Sequence, residues 1–594
     1  MLKRSLGSIQ ASSISLIFIG LMFFLPFINM HHEQPITPFY AEWIAAAMGV
    51  MAIFPMLGKV SWNAVQNPLR IPQVSLIFIG LAIIVSAQWA LGMLHSNQYA
   101  LLLLSYFTWA FSLAVLGSYL RRELGWEKLV STLAWCLVAA GIINVGIVVL
   151  QFVTKTGGII PFLPNLSSYG ALSQPNHFAD FCAFATVSLI YLHAKQRFSS
   201  SFFYLLLVCF VVMLSLSGSR SVWLYLTAIT ILLAIMYSKT VNQGADSKAT
   251  HRAYRAGLWL LPAFVIVQIF IYFFIPNELV SLPTERLLDG VTAKTSSLRL
   301  QFWYDSLRIF LQSPWLGVGA GKLITNTFLI LDTPAALASK RVFEHAHNLF
   351  LHLLAEMGIG GFLIVFVGLR SWIKSFKWRV LNLETWWLIS LLAILGIHSM
   401  LEYPLWFTFF LGIAALLLGA GDEKLITINF SKFTSQFARP GLILLLVLGV
   451  VNLSTMLIAN IKLENWIQKF ANEDVSDQSQ LNWVKRNSLL SPYGELIQAM
   501  TMKIDFNHLE EEILLNQSVM NFRPFRTIAY QHALLFKLQG KNANAVIQLN
   551  RALIAYPGKF QNALESAPVK YRQQYLDLFS EAAHSPLYKR LKDH

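Results

Sequence analysis

The chain predicts an all-α, polytopic membrane protein with about thirteen transmembrane helices, one long loop on the outer side and a C-terminal helical domain on that same side. Three observations carry the prediction. Of the 594 residues, 56% are hydrophobic and only 13% charged, with a mean hydropathy of +0.55, whereas about a quarter of the residues of a soluble domain are charged. Apolar runs long enough to cross a bilayer recur along the chain as far as about residue 459. Finally, Lys and Arg gather in every second connection between those runs.

The elements follow in order. Met1-Leu2-Lys3-Arg4 precedes an apolar run at 12–29 with no small-residue cleavage site after it, which reads as a retained first span rather than a signal peptide. Further runs lie at 40–58, 72–93, 99–120, 129–152, 174–193, 202–217, 221–238 and 257–275. After a long polar stretch they resume at 348–369, 384–400, 404–420 and 440–459. With the N-terminus cytoplasmic, the inner connections carry Lys59 and Arg70, Arg121 and Arg122, Lys195 and Arg197, Arg252 and Arg255, Arg370 and Lys374, and Lys424 and Arg439. The short outer connections hold little beyond Lys155 and Arg220, as the positive-inside rule requires. An odd number of spans then leaves the C-terminal region outside. The formal charge of +15 is chiefly this topology and is no sign of nucleic acid. Cys136, Cys182 and Cys209 all fall within apolar runs, so neither a disulfide framework nor a cysteine metal site is suggested.

Four regions result: 1–275 with nine spans, an outer loop at 276–347, four spans in 348–459 and a polar helical region at 460–594. The loop is too long for a mere connection and is a candidate functional segment. In the C-terminal region, Phe536, Ala545, Leu549, Ala552 and Pro557 approach the spacing of a tetratricopeptide repeat, with a generic helical bundle as the alternative.

The chemistry-bearing residues cluster on one side. On this topology Ser173-Gln174-Pro175-Asn176-His177, the hairpin around Arg220, the loop segment Arg299 to Trp303, Pro314 to Gly321, Glu344 to Glu356, and His398-Ser399-Met400-Leu401-Glu402-Tyr403-Pro404 all face outward. His347 stands where the polar loop enters an apolar helix, and an imidazole there can accept a proton from a hydroxyl nucleophile. The competing reading makes Glu344 and Asn348 helix caps and leaves the histidines at headgroup level. Arg220 and Arg299 offer planar forks matched to phosphate oxygens, or else a snorkelling span end and an amphipathic loop helix. Among His345, His347, His352 and Glu356 there is no His-Glu-x-x-His, so no metal is assigned. Gly317-Val318-Gly319-Ala320-Gly321-Lys322 lacks the phosphate-loop pattern and reads as a tight turn packing the outer loop onto the bundle. Asp180 is either an intramembrane acid with a function or the partner of His177.

With these residues in view, the chain resembles the O-antigen ligase and polymerase superfamily of bacterial inner-membrane glycan transferases. Arg220, Arg299 to Trp303, Pro314 to Gly319 and His347-Asn348 carry that likeness. Within the superfamily it looks most like the PglL-type protein O-oligosaccharyltransferases, through Ser173 to Asn176, His345 to Asn348, and His398 to Trp406. The resemblance implies transfer of an oligosaccharide from undecaprenyl pyrophosphate, at the periplasmic face of the inner membrane, to Ser or Thr of a pilin or other periplasmic protein, without nucleotide or metal. It implies His347 as base with Glu402 as the alternative, Arg220 and Arg299 on the pyrophosphate, Gln174 and Tyr403 orienting sugar or diphosphate, and Asn348 and His177 as further substrate contacts. A ligase acting on lipid A core or an O-antigen polymerase is the alternative. A transporter is disfavoured, because no internal repeat is visible and the polar groups lie at one face rather than at mid-membrane.

Overall fold

A computed structural model describes residues 2–58, 69–153, 170–172, 174–242, 247–275, 282–292, 295–332, 341–378, 380–429, 432–471, 478–502 and 504–585. Lys59, Lys155, Ser173 and part of the long outer loop lie outside the described residues. The structure is helical almost throughout, as expected; its one sheet, among the described residues, is an antiparallel pair of Leu69–Pro72 with Leu425–Ile428.

Every predicted apolar run is a helix, though the runs differ in length. Among the described residues, ten helices are long and apolar enough to cross a membrane. Ser200–Leu216, Leu383–Ser399 and Thr408–Gly421 are apolar but shorter than a full span. The reason is local: Ser217-Gly218 ends the first of these, with Gly218 at φ +64, and Tyr403-Pro404 separates the other two through a single turn of 3₁₀ helix. The last apolar run belongs to a 40-residue helix, Lys432–Ala471, so the boundary expected near residue 460 falls inside one helix.

The chain forms two compact units. One comprises residues 1–79, 106–294 and 366–453. Its central element is the helix Pro175–Ala194, buried at every position from His177 to Ala194. Helices Trp126–Val153, Ser200–Leu216, Val222–Asn242 and Leu383–Ser399 pack against it. Small residues set the closest approach in this unit: a Cβ on Gly117 would meet the Leu416 carbonyl oxygen at 2.2 Å, and one on Gly419 would meet that of Ala114 at 1.9 Å. These reciprocal glycines let the two backbones touch, the usual device where helices pack without a hydrophobic gradient between them.

The other unit comprises residues 80–105, 295–365 and 454–594. Here the outer loop proves to be largely helical, with Thr295–Gln312 and Leu323–Leu329 within this unit. Its Phe328 and Leu331 are buried in one core with Leu496, Ile528, Leu549 and Tyr575 of the C-terminal helices. Arg551 pairs with Asp332 at 2.7 Å, and the Thr325 hydroxyl donates to the Asn521 carbonyl at 3.1 Å. The loop and the C-terminal helices therefore bury apolar surface together. Arg526–Leu538 and Asn542–Ala555, joined through Gly540, form the helix pair whose spacing suggested a repeat.

Candidate active site

In the second unit the site is built on the helix Leu349–Ser375. Asn348 starts it: its Oδ1 accepts from the Phe350 and Leu351 amides at 3.1 and 3.2 Å, and its carbonyl accepts from His352 at 2.9 Å. This is N-cap geometry, which satisfies amides that would otherwise have no partner. His347, immediately before the cap, has φ +52, one of two non-glycine residues with positive φ among the described residues. A side chain in this region costs of order 1–3 kcal/mol and persists only where its surroundings over-determine it. The imidazole stacks on Phe302 at 5.9 Å between centroids, and Phe302 in turn meets Phe343 at 4.3 Å. Phe302 lies one turn after Arg299 on Thr295–Gln312, so the structure brings Arg299 and His347 to the same end of that helix.

The glycine-rich segment explains the rest of this half. The helix breaks at Gly358 (φ 64, ψ −166), and residues 314–319 pair with the exposed backbone. The Ile359 amide donates to Pro314 at 2.8 Å, Val318 to Ala355 at 2.9 Å and Gly319 to Glu356 at 3.1 Å. The Glu356 carboxylate then accepts from the Gly321 and Leu323 amides at 2.8 and 3.0 Å, with His352 Nε2 3.0 Å away. A glutamate thus occupies the backbone amides at the start of Leu323–Leu329, as expected for a packing turn rather than a phosphate loop. Among the described residues, no group of three or more His, Cys, Asp or Glu is placed to hold a metal ion. Burial, with His352, His347 and Arg523 nearby, pushes His345 well below the ordinary imidazole pKa. Glu344 pairs with Arg523 of the C-terminal region.

In the first unit, Gln174 caps Pro175–Ala194 by accepting from the His177 amide at 2.6 Å, and Pro175 takes the first helical position. Asn176 accepts from Ser219 at 2.7 Å, which ties this helix start to the hairpin bearing Arg220. His177 is enclosed by Phe407 at 4.5 Å and Phe410 at 5.3 Å. Asp180 does not pair with His177: its partner is Nδ1 of His398, both side chains being fully buried. His177 faces Phe407 and Phe410 from the helix start, while Asp180, nearly a full turn on, meets Leu383–Ser399. Tyr403 stacks on Phe407 at 6.0 Å, and Glu402 lies close enough to Asp180 to act on its charge. The first unit thus gathers Gln174, His177, Arg220, Glu402 and Tyr403 around one helix start, and the second gathers Arg299, His347 and Asn348.

Two family models cover most of this ground. The O-antigen ligase model matches residues 205–366, and that of the C-terminal part of virulence factor membrane-bound polymerases matches 386–569. A general O-oligosaccharyltransferase of Acinetobacter baylyi is 24% identical over 422 residues, 68% of this chain and 69% of the relative. A ComP-specific O-oligosaccharyltransferase of the same organism is 22% identical over 552 residues, 89% and 93% of the two chains. These likenesses support a PglL-type O-oligosaccharyltransferase of the O-antigen ligase and polymerase superfamily.

Two features of the transferase were not found in the sequence. The Asp180–His398 pair joins residues more than two hundred positions apart, and the only signal was two ionisable groups within apolar runs. Arg286 donates to the Gly218 carbonyl at 3.1 Å and so braces the hairpin that carries Arg220. Its position just beyond a span, in Pro283-Thr284-Glu285-Arg286, was the available clue.

Proposed function

We propose that this transferase moves an oligosaccharide en bloc from undecaprenyl pyrophosphate to Ser or Thr hydroxyls of a pilin or another protein at the periplasmic face of the bacterial inner membrane. Protein O-glycosylation from a lipid-linked oligosaccharide is supported by the two relatives. The observation that carries the residue roles is the strained, capped position of His347, stacked on the helix that bears Arg299. Strain of this kind collects at functional sites.

In the proposed reaction the acceptor oxygen attacks the anomeric carbon and its proton passes to the His347 imidazole. The bond between that carbon and the pyrophosphate oxygen breaks, and the lipid pyrophosphate leaves with the bonding electrons. Arg220 and Arg299 stabilise the charge that develops on it, as preorganised donors do best where water is excluded. Gln174 and Tyr403 orient sugar or diphosphate, His177 and Asn348 are further substrate contacts, and Glu402 is the alternative base. No nucleotide or metal is given a role.

The test expresses wild type and His347→Ala in a host supplying a lipid-linked glycan and candidate acceptors, with mass spectrometry of pilins and of lipid A core. Glycan on Ser or Thr with wild type alone supports the reading. Persistence in the variant removes His347 as base, and glycan on lipid A core instead makes the enzyme a ligase.

A further inference from the structure

We propose that Asp180 and His398 form a positioning dyad that sets the turn carrying Glu402 and Tyr403. The inference rests on Glu402 and Tyr403 belonging to the transfer site. Asp180 projects from the second turn of the fully buried helix Pro175–Ala194, and His398 from the last turn of Leu383–Ser399. Both side chains are 0% exposed. Ionisable groups buried in a membrane protein are costly unless paired, and an apolar pair of similar volume would pack there without that cost. The pair accordingly calls for a purpose beyond packing.

The backbone supplies the link. The His398 carbonyl accepts the Leu401 amide at 2.9 Å and the Glu402 amide at 2.7 Å. Fixing the imidazole therefore fixes the turn from which Glu402 and Tyr403 project. The ring lies edge-on to His177 at 5.8 Å and to Phe410 at 6.5 Å, and Asp180 supplies its polar partner. A carboxylate facing Nδ1 favours the tautomer with its proton there. Nε2 is then left buried with no hydrogen-bond partner among the described groups. Such an unsatisfied atom is rare in a purely structural pair. Tyr225 and Glu402 also lie within electrostatic reach of Asp180, so polar groups from three segments meet at one helix end.

The test measures initial transfer rates in proteoliposomes holding the lipid-linked oligosaccharide, with acceptor protein added. His398→Asn places an amide N–H near the position of Nδ1, whereas His398→Leu removes the donor. The leucine variant is expected to lose about tenfold or more in kcat with KM for the acceptor within about twofold, and the asparagine variant to recover most of that loss. Adding Glu402→Gln to His398→Leu is expected to cost less than the product of the single losses, because both act through one turn. An asparagine variant no better than leucine, or losses that multiply, overturns the dyad. Should His398→Leu fail to accumulate, the isosteric Asp180→Asn carries the comparison: full kcat in that variant overturns the proposal, and a loss of about tenfold with unchanged elution on size exclusion supports it. Wild type that modifies no protein acceptor refutes the functional reading itself, whereas active wild type beside a fully active His398→Leu refutes only the dyad.

Discussion

Replacing Gly358 by alanine tests the pairing that holds the entry to the His347 helix. Gly358 lies at φ 64, ψ −166, a region nearly closed to other residues, where a side chain costs of order 1–3 kcal/mol. A Cβ there would stand 2.4 Å from the Trp315 oxygen, 2.5 Å from the Trp315 carbonyl carbon and 2.7 Å from the Gly317 nitrogen. These are backbone atoms that cannot swing aside, and such overpacking adds about 1–3 kcal/mol. The sum, about 4 kcal/mol, is roughly a thousandfold in the equilibrium between a docked and a released glycine segment. Gly360→Ala is the control on the same helix, since its Cβ would meet only the tip of Ile84 at 3.2 Å and the Trp315 oxygen at 3.5 Å. The assay compares transfer rate in proteoliposomes and thermal unfolding in detergent. Gly358→Ala is expected to lose at least about tenfold in rate and to unfold at a lower temperature, while Gly360→Ala stays near wild type. Equal behaviour of the two variants would refute the reasoning.

Four further outcomes are expected. Glu356→Ala leaves the Gly321 and Leu323 amides without their carboxylate, at about 1–3 kcal/mol each, and should depress the unfolding temperature clearly. Glu344→Ala breaks a pair whose glutamate is 47% exposed and should cost no more than about 1 kcal/mol; a larger drop than for Glu356→Ala would reverse this ranking. His347→Gly relieves the positive φ and should unfold no earlier than wild type while transferring no glycan, so a variant that keeps activity would assign the histidine to strain alone. Burial lowers the His532 pKa from 6.5 to about 4, so the neutral ring stabilises the fold above pH 6.5. That stability is lost as pH falls from about 6.5 towards 4, reaching of order 3 kcal/mol, and His532→Leu should flatten this acid slope.

What the sequence made legible were the features whose causes are local. Apolar length marks the helices of the predicted runs, Pro175 and Asn348 mark two helix starts, and the spacing of glycines marks a packing turn. What stayed hidden depends on distant partners. Asp180 and His177 are three residues apart, and helical spacing favours their pairing, yet the carboxylate meets His398 through tertiary contact. Glu356 and His352 show the converse: their four-residue spacing is realised at 3.0 Å, but the carboxylate also holds amides more than thirty positions away that no periodicity announces. Apolar composition likewise marks what can be buried without fixing where Gly218 or Pro404 ends a helix.

The position of His347 therefore belongs to the whole second unit. A residue with positive φ stays there only if each alternative is worse, and three constraints meet on this segment. Asn348 must keep its cap, because releasing it leaves amides unsatisfied. Ala346 and Phe343 are buried with Ile309, Leu323 and Ala355, so the backbone before His347 cannot slide without exposing that core. Glu344 is tied to Arg523, and Leu323 follows the glycine segment gripped by Glu356. The turn that aims the imidazole at Phe302 is thus held from the helix, from the outer loop and from the C-terminal helices at once. A loop with only local contacts would relax into an ordinary β or α conformation and swing the ring away. The burial of Phe328 and Leu331 among the C-terminal helices is consequently part of how the site is held, and no separate module is needed to account for it.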